Sequence, residues 1–526
     1  MLLPEPSALL PIDSKEASVP ATTLHELIQA GADAAPALSS PGGVPLTFQA
    51  LRALTERTVA DLNARGIGRG DRVAIVLPNG PEMAAAFIAV AAGTTSAPLN
   101  PSYKADEFEF YMSDLGAKLL LVAEGSETPA VAVAEKLGVS VARLRPTPDE
   151  GAGSFTLHFA GESTGPAEKS GPAGSDDIAL VLHTSGTTSR PKIVPLTQAN
   201  VCASARNIRT ALAFGPEDRG LNIMPLFHIH GLIAGILAPL SVGGQVSCTP
   251  GFNALKFFGW MDEVNPTWYT GVPTMHQAIL GRAARNKEII ARNPLRFIRS
   301  SSSSLPPQVM KELEDTFGAP VIEAYGMTEA AHQMASNPLP PKPHYAGSVG
   351  LAAGPEIAVV DLDGEPLPAG ETGEIVIRGD NVMKGYENNE KANAEAFTEQ
   401  GWFRTGDQGV LSPEGYLSIT GRLKEIINRG GEKISPREVD EILMDHPAVS
   451  QCVTFAVPHD KLGEDVAAAI VLREGVEAVE KDIRSFASER LAAFKVPAKI
   501  LILDEIPKGA TGKLQRIGLA QKLGLV

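Results

Sequence analysis

Short apolar runs alternate with longer helical stretches along the first part of the chain. The runs at 73–77, 118–122 and 177–182 have the length of buried strands. Between the first two lies an alanine-rich stretch, 83–92, which we predict to be a buried helix, and Thr47 is placed to cap an earlier helix. Strands separated by helices predict an α/β fold, in which helices cover parallel-type sheets on both faces.

The pattern changes near residue 346. Short strands at 356–361 and 373–378 are separated by Asp-Gly and Pro-Ala-Gly turns, which predicts a small β-rich subdomain at about 346–421. Helices and strands then alternate again. We therefore predict a large N-terminal domain, 1–421, followed by a smaller, mobile α+β C-terminal domain, 422–526.

Two further segments are predicted to lack regular structure. Residues 148–176 are rich in Gly, Ser, Pro and Glu, and we interpret them as a loose surface connection. Gly430-Gly431 and Pro436 interrupt the pattern just inside the C-terminal domain, where they predict a mobile joint.

Composition limits the possible partners. The 526 residues carry a formal net charge of −15, which argues against nucleic acid or an anionic membrane surface as the main partner. The longest apolar run, 83–92, is too short to span a membrane. The three cysteines are far apart in the sequence and fit a reducing compartment. Since the first twenty residues hold four charged side chains and no long apolar core, we expect a cytoplasmic protein.

The stretch 184–192 combines five hydroxyl side chains, a glycine and two cations directly after a predicted strand. Backbone N–H groups and hydroxyls in such a loop suit a polyphosphate, and the glycine allows the main chain to approach closely. The spacing differs from the G-x-x-x-x-G-K-[ST] loop, and a solvated Ser/Thr turn is an equal alternative at this point. The candidate phosphate ligands are Thr184, Ser185, Gly186, Thr187, Thr188 and Lys192.

Four more clusters combine glycine with charged or hydroxyl side chains. They are 323–329 (Glu-Ala-Tyr-Gly-Met-Thr-Glu), 402–407 (Trp-Phe-Arg-Thr-Gly-Asp), 421–427 (Gly-Arg-Leu-Lys-Glu-Ile-Ile) and 507–516 (Pro-Lys-Gly-Ala-Thr-Gly-Lys-Leu-Gln-Arg). Glu329 in the first offers the hard oxygen ligand that Mg²⁺ prefers, and Asp407 in the second suits the two hydroxyls of a ribose. Taken singly, each cluster has an ordinary structural explanation, such as a capped turn, a solvated edge or a basic chain end.

The order and spacing of the five clusters together resemble the adenylate-forming superfamily, from about residue 22 onward. Within it the chain most resembles the oxalate–CoA ligases, on the stretches 183–192, 224–231 and 336–340. The resemblance implies two half-reactions. A carboxylate attacks the α-phosphorus of ATP to give acyl-AMP and pyrophosphate, and the thiol of coenzyme A then displaces AMP. The implied ligands are ATP, Mg²⁺, coenzyme A and a small carboxylic acid, bound by a monomer or homodimer.

The resemblance also implies a role for each cluster. The 184–192 loop would hold the outer phosphates, Thr328 would contact the α-phosphate, and Glu329 with Thr184 would hold Mg²⁺. Asp407 would bind the ribose, with Arg422 nearby. Adenine would lie between two groups of residues, namely Ser302, Ser303 and Ser304 on one side and Glu323, Ala324 and Tyr325 on the other.

The C-terminal domain would serve both half-reactions. Lys513 would bridge the attacking carboxylate and the α-phosphate, and Lys424 would be the hinge about which the domain swings. After the swing, Gly430 and Gly431 would line the tunnel for the pantetheine arm of coenzyme A, and His228 would gate that tunnel.

The acid is predicted from the polar residues near the expected pocket. His230, His332 and Ser302 are the candidate ligands of a second carboxylate, while Arg299 is expected to form a structural ion pair. Oxalate is the first choice and malonate the second. The alternatives are a medium-chain or aromatic acyl-CoA synthetase, an enzyme that loads a carrier protein, and a regulatory nucleotide-binding protein. The last is disfavoured because binding alone would not need Lys513.

We expect Lys513→Ala to slow acyl-AMP formation at least about a hundredfold, because stabilisation of transition-state charge is typically worth ~3–4 kcal/mol. Pyrophosphate release in the absence of coenzyme A measures this step. Near-parental release by the variant would contradict the assignment.

Overall fold

The computed structural model describes residues 20–161, 163, 165–184, 191–507 and 514–526. Five of the predicted site residues lie outside these ranges, and their assignments stay predictions. They are Ser185, Gly186, Thr187, Thr188 and Lys513.

The described residues form strands in four sheets. In chain order the strands are β1 (Pro36–Ser39), β2 (Leu46–Thr47), β3 (Arg72–Val76), β4 (Thr95–Pro98), β5 (Leu119–Ala123), β6 (Ser140–Pro146), β7 (Phe155–Phe159), β8 (Ile178–Thr184), β9 (Lys192–Thr197), β10 (Arg219–Asn222), β11 (Gln245–Cys248), β12 (Trp268–Gly271), β13 (Phe297–Ser301), β14 (Val321–Met327), β15 (His332–Ser336), β16 (Leu351–Ala352), β17 (Glu356–Val360), β18 (Thr372–Arg378), β19 (Phe403–Leu411), β20 (Leu417–Arg422), β21 (Ile427–Arg429), β22 (Glu432–Ile434), β23 (Val449–His459), β24 (Gly463–Leu472) and β25 (Lys499–Ile502).

Helices connect and cover these strands. The α-helices are α1 (Leu24–Leu27), α2 (Phe48–Ala64), α3 (Pro81–Ala91), α4 (Ala105–Leu115), α5 (Pro129–Leu137), α6 (Gln198–Ala211), α7 (Ala238–Leu240), α8 (Phe257–Val264), α9 (Pro273–Ala283), α10 (Lys287–Arg292), α11 (Pro307–Phe317), α12 (Glu390–Ala396), α13 (Pro436–Met444), α14 (Glu480–Ser488) and α15 (Leu519–Lys522). A π-helical segment, His230–Leu237, precedes α7, and a 3₁₀ turn, Thr328–Ala330, joins β14 to β15.

Two large sheets dominate the N-terminal part. One has nine strands in the order β16-β15-β14-β13-β12-β10-β11-β1-β2, and the other has seven in the order β7-β6-β5-β3-β4-β8-β9. The central strands of both are parallel, and antiparallel strands lie only toward the edges. The predicted α/β fold is therefore confirmed.

The two sheets pack against a shared layer of helices. Helix α3 contacts β4 of the seven-stranded sheet and β1 and β11 of the nine-stranded sheet. Its apolar residues are buried all round, since Ala84 to Ala91 are inaccessible to solvent. A helix between two sheets has no solvent face, which explains its alanine-rich composition and confirms the predicted buried helix. Thr47 caps α2 as predicted, because its side chain accepts the N–H of Ala50.

The later strands form two smaller sheets. β17 to β20 make a four-stranded antiparallel sheet that spans Glu356 to Arg422, so it begins ten residues after the start of the predicted β-rich subdomain and ends one residue past its end. β21 to β25, with α13 and α14, make the separate α+β part that follows. The chain passes between the two in the turn 423–426. The domain boundary at 421 and the mobility of the C-terminal domain stay predictions.

One prediction about an irregular segment is wrong, whereas the mobility of the joint predicted at Gly430-Gly431 and Pro436 stays a prediction. Within 148–176, β7 pairs with β6 and buries the ring of Phe155, because an aromatic side chain anchors this polar segment to the sheet. Gly430 and Gly431 form the tight turn between β21 and β22, where their positive φ angles of 62° and 101° suit a hairpin. Pro436 begins α13, a position that proline favours.

No helix in the described ranges has the length and apolar character needed to cross a membrane.

Candidate functional site

Thr184 and Lys192 face each other at the open end of the β8–β9 pair. Because the two strands are antiparallel neighbours, the glycine- and hydroxyl-rich loop joins their ends. The Lys192 ammonium lies 4.3 Å from the centre of the Tyr386 ring. The structure thus brings the predicted phosphate lysine to an aromatic residue from outside all five clusters.

Thr328 and Glu329 lie at the tip of the β14–β15 hairpin. Gly326 is needed there, since a β-carbon on it would overlap the carbonyl oxygen of His332. The Glu329 side chain is only 7% exposed, and its Oε1 accepts a hydrogen bond of 2.9 Å from the Tyr386 hydroxyl. Burial raises the pKa of Glu329, although this hydrogen bond and the charges of Arg422 and Lys192 lower it.

The surroundings of Glu329 fit the implied Mg²⁺. No group of three or more His, Cys, Asp or Glu side chains within the described ranges is placed to hold a metal ion. Mg²⁺ in nucleotide enzymes is usually held by one or two carboxylates together with phosphates and water, and Glu329 is a buried carboxylate with one oxygen bonded to Tyr386. Glu329 with Thr184 would hold such an ion.

Asp407, Tyr325 and Arg422 form one hydrogen-bonded group in which Asp407 and Tyr325 are buried and Arg422 is exposed, and Tyr325 is far from the other two in the sequence. The Tyr325 hydroxyl donates to Oδ2 of Asp407, and Arg422 Nε donates to Oδ1 at 2.9 Å. Asp407 and Arg422 are opposite each other on β19 and β20. The Asp407 carboxylate raises the pKa of Arg422, so the guanidinium stays charged.

The two predicted walls of the adenine site lie on neighbouring parallel strands. Ser301 pairs with Ala324 between β13 and β14, and the turn 302–304 follows directly. Glu323 is buried, its Oε1 accepts the N–H of Leu305 at 3.0 Å, and burial raises its pKa to about 7. Arg437 of α13 opposes that shift, so the C-terminal part approaches this wall.

A small cavity separates this wall from the C-terminal part. Its volume is about 120 Å³, and its lining includes Ser303, Ser304, Arg437 and Glu441. One hydrogen bond fixes α13 beside it, because Arg437 Nη1 donates to the carbonyl of Ile419 at 2.5 Å. A second joins α9 to β23, since Gln277 Nε2 donates to the carbonyl of Ser450 at 2.9 Å.

The predicted acyl ligands are brought together in a buried polar cluster. His230 Nδ1 lies 3.0 Å from Ser302 Oγ, and its Nε2 lies 2.6 Å from Thr270 Oγ1. The His230 and His332 rings are stacked with centres 4.8 Å apart. Ser302 and His332 both have positive φ, 74° and 100°, which are strained for residues with a β-carbon. Such strain is commonly found at functional sites.

Arg299 lies behind this cluster and forms no ion pair with a carboxylate among the described residues, so the predicted structural ion pair is wrong. Its Nη1 is 3.2 Å from His230 Nε2, its Nη2 donates to Gln333 Oε1 at 3.2 Å, and its Nε has no hydrogen-bond partner among those residues. Arg299 is fully buried, and burial lowers its pKa to about 9, which still leaves it charged at neutral pH.

The charge on Arg299 fixes the hydrogen-bond direction through His230. A guanidinium only donates, so His230 Nε2 accepts. The neutral imidazole then carries its proton on Nδ1 and donates it to Ser302 Oγ. The Ser302 hydroxyl can in turn donate its own proton to an anion at the mouth of the cluster.

A cavity of about 490 Å³ is lined in part by Phe227, the residue that precedes His228. This cavity opens at the carboxyl ends of β3, β4, β10 and β11, where ligands bind in open α/β sheets. Its lining includes Leu77, Asn100, Tyr103, Phe227, Phe252 and Met275. His228 is half-buried, and its Nδ1 accepts the N–H of His230.

Three predicted residues are not brought to this site. Lys424 is exposed in the turn between the four-stranded sheet and the C-terminal part. Gly430 contacts Leu462, within the C-terminal part, and the turn that it forms with Gly431 is exposed. A rotation about Lys424 would be needed to bring the glycines to His228.

Three residues of the candidate site were not predicted from the sequence: Tyr386, Thr270 and Gln333. Tyr386 contacts Glu329, which lies 57 residues earlier in the sequence, and Thr270 contacts His230, which lies 40 residues earlier. No local spacing signals such contacts, and only parallel strand pairing could have suggested that Thr270 lies near Arg299.

Comparison with known proteins gives consistent matches along the chain. Residues 28–387 match the family described as AMP-binding enzyme, and residues 438–513 match the AMP-binding enzyme C-terminal domain. An oxalate–CoA ligase from Arabidopsis thaliana is 48% identical over 491 residues, which cover 92% of this chain and 95% of that protein. One from Saccharomyces cerevisiae is 41% identical over 475 residues, covering 86% and 87%.

A solved structure matches the whole fold. ATP-bound MatB from Rhodopseudomonas palustris superposes with a TM-score of 0.85 at 29% identity, covering 95% of this chain and 98% of that one. These matches confirm the resemblance that the five clusters predicted.

We expect Glu323→Gln to change the pH dependence of stability. The folded protein holds the Glu323 proton more tightly than the unfolded chain does, because its pKa is raised from 4.5 to about 7. The favourable contribution of Glu323 to the free energy of unfolding is therefore complete below pH 4.5 and is lost as the pH rises to about 7. The neutral variant lacks this loss. Its free energy of unfolding should therefore gain about 3 kcal/mol relative to the parent across that range.

Denaturant titrations at several pH values measure the effect. Glu288→Gln is the control, because the exposed Glu288 side chain remains in water in both states. A constant difference between Glu323→Gln and the parent would contradict the prediction.

Proposed function

Because this chain belongs to the AMP-binding enzyme family, we propose that it is an ATP-dependent ligase that joins oxalate to coenzyme A. The observation that carries the choice of acid is the buried charge of Arg299, which has no carboxylate partner among the described residues. Its 48% identity to an oxalate–CoA ligase supports the same choice.

A buried guanidinium without a counter-ion is costly to the fold. An acid with a second carboxylate would supply the missing negative charge when it binds. The charge would act through His230 and the hydroxyl of Ser302, which is half-exposed and also borders the adenine wall. One carboxylate of the acid would then face this cluster while the other faces the α-phosphate of ATP.

The same cluster disfavours aliphatic and aromatic acids. Its polar atoms contact one another: His230 contacts Thr270, and Arg299 contacts both His230 and Gln333. All four side chains are fully buried. A long acyl tunnel would need apolar walls in this direction, whereas a short diacid such as oxalate needs donors and positive charge.

In the first half-reaction, an oxygen of the free carboxylate forms a bond to the α-phosphorus and the bond to pyrophosphate breaks. Lys192, with Thr184 and the loop between them, would hold the departing phosphates, while Thr328 holds the α-phosphate. Asp407 and Arg422 would fix the ribose. Bound Mg²⁺ would neutralise phosphate charge. Lys513 is the proposed cation that stabilises the charge developing at the reacting oxygens.

In the second half-reaction, the sulfur of coenzyme A forms a bond to the acyl carbon and the bond to AMP breaks. The cavity lined by Phe227 has the size and the largely apolar lining for an uncharged pantetheine arm. Lys424 is the proposed hinge, and it lies in the exposed turn between the two smaller sheets. The oligomeric state stays a prediction.

A pyrophosphate-release screen with oxalate, malonate, acetate, hexanoate and 4-coumarate, with and without coenzyme A, tests the proposal. We expect oxalate to give the highest rate and oxalyl-CoA as the product. Faster turnover of hexanoate or coumarate would favour the aliphatic or aromatic alternative. AMP release with a phosphopantetheinyl protein, but not with free coenzyme A, would favour carrier loading.

Arg299→Met tests the charge directly. Loss of the buried cation should lower kcat/KM for oxalate roughly 10- to 100-fold, because a nearby unit charge in a site of low dielectric constant is worth a few kcal/mol. Acetate has no second carboxylate, so its kcat/KM should change little. The oxalate-to-acetate ratio is the readout, since a folding defect lowers both rates equally.

Arg296→Met is the matched control. Arg296 lies three residues earlier and pairs with Asp218 at 2.9 Å, outside the cluster. It should leave the ratio unchanged. An unchanged ratio in Arg299→Met would contradict the role of Arg299 while leaving the CoA ligase activity itself untouched.

A further inference from the structure

Tyr386 touches two of the proposed ligand-binding groups with two different parts of its side chain. Its hydroxyl donates to Glu329 Oε1 at 2.9 Å, and its ring lies 4.3 Å from the Lys192 ammonium. Glu329 belongs to a hairpin of the nine-stranded sheet, and Lys192 begins an edge strand of the seven-stranded sheet. A single buried side chain therefore spans the junction between the two sheets.

The backbone around Tyr386 is itself fixed. The side-chain amide of Asn393 on α12 bonds both main-chain groups of Tyr386, accepting its N–H at 2.7 Å and donating to its carbonyl at 2.8 Å. Gly385 precedes it with φ of 151° and leaves room for that amide. The main chain at Tyr386 thus has both hydrogen-bonding groups satisfied by one side chain.

The segment 380–387, here called the strap, ties the same two hairpins together. On one side, Met383 N–H donates to the carbonyl of Glu329 at 2.8 Å. On the other, Glu387 N–H donates to the carbonyl of Ile193 at 3.2 Å, and its carboxylate pairs with Arg72 at 2.5 Å. The strap crosses from the metal-ligand hairpin to the phosphate hairpin, and Tyr386 lies between its anchors.

We propose that Tyr386 is a positioning residue that sets the distance and orientation between the metal-binding carboxylate and the phosphate-binding lysine. The hydroxyl holds one oxygen of Glu329, which directs the other toward the metal. The ring face holds the Lys192 ammonium by a cation–π contact and keeps it from pairing with the Glu329 carboxylate before ATP arrives. This inference rests on the proposed ATP-dependent function.

The separation of the two charges is the physical reason for a tyrosine at this place. A lysine and a buried carboxylate in the same pocket attract each other strongly where the dielectric constant is low. A direct pair would occupy both groups that the metal–nucleotide complex needs. The tyrosine hydroxyl bonds the carboxylate and the aromatic ring contacts the ammonium, so the two charged groups stay apart. Each of these contacts is weaker than the contact that the carboxylate would make with the metal or the lysine with a phosphate.

Two substitutions separate the two contacts. Tyr386→Phe removes only the hydroxyl, and Tyr386→Leu removes the ring as well. Tyr416→Phe is the matched control, because the Tyr416 hydroxyl donates to the carbonyl of Pro343 at 2.7 Å, remote from all proposed ligands. Isothermal calorimetry of ATP binding, with and without Mg²⁺, is measured on the full-length protein together with the Mg²⁺ dependence of pyrophosphate release.

For Tyr386→Phe we expect the Mg²⁺ concentration for half-maximal pyrophosphate release to rise about tenfold, since a hydrogen bond to a charged group is lost. Metal-free ATP should bind as to the parent. For Tyr386→Leu we expect the same rise in the Mg²⁺ requirement. In addition, its dissociation constant for metal-free ATP should rise at least about threefold, because Lys192 loses its cation–π contact with the ring. Tyr416→Phe should match the parent in every measurement.

An unchanged Mg²⁺ requirement in Tyr386→Phe overturns the proposal. So does an equal fall in kcat at unchanged Mg²⁺ and ATP affinity in both variants, which is the result of a merely structural role. Failure of the proposed function looks different, because the parent would then release no pyrophosphate with any acid tested. The calorimetric comparison still decides the role of Tyr386 in that case.

Discussion

The close approach of Gly326 to the His332 carbonyl closes the β14–β15 hairpin, and most of the candidate site depends on that closure. The first strand of the hairpin carries Glu323, Ala324 and Tyr325 of the proposed adenine site, and its tip carries Thr328 and Glu329. Its second strand begins with His332 of the acyl cluster. A side chain at position 326 would force the strands apart and move all three groups at once, since they share one continuous backbone.

Around this hairpin the protein buries several charges, each compensated in a different way. Asp407 is paired with Arg422 and bonded by Tyr325, so its charge is neutralised within the fold. Glu329 receives one hydrogen bond and has cations nearby. Arg299 alone among these groups has only neutral contacts with His230 and Gln333. The extent to which the fold neutralises each charge therefore differs, and it is least for Arg299. This order agrees with the proposed roles, because a group that must bind a charged ligand cannot be fully neutralised beforehand.

The two half-reactions place opposite demands on the C-terminal part. Side chains hold it against the N-terminal part: Arg437, Gln277 and Ser435 each donate one hydrogen bond across the contact. Arg473 also pairs with Glu312 at 3.7 Å, and a cavity lies beside Ser303 and Ser304. The metal and phosphate hairpins are instead joined by the strap, with main-chain bonds on both sides. The proposed swing of the C-terminal part would break these side-chain contacts while leaving the strap in place, and it stays a prediction.

The sequence by itself determined the classes of element, the position of the buried α3 helix and the five clusters that identify the family. Apolar spacing is local and sets a helix or a strand, whereas the clusters identify the family only through their common order and spacing. The sequence also placed His230, Ser302 and His332 in one group. Tertiary structure alone decided which charges meet. Arg299 has no carboxylate partner among the described residues, Phe155 orders a segment whose composition predicted a loose loop, and Tyr386 joins Glu329 to Lys192. Such contacts join residues tens to hundreds of positions apart, and the packing of the two sheets rather than any local pattern selects them.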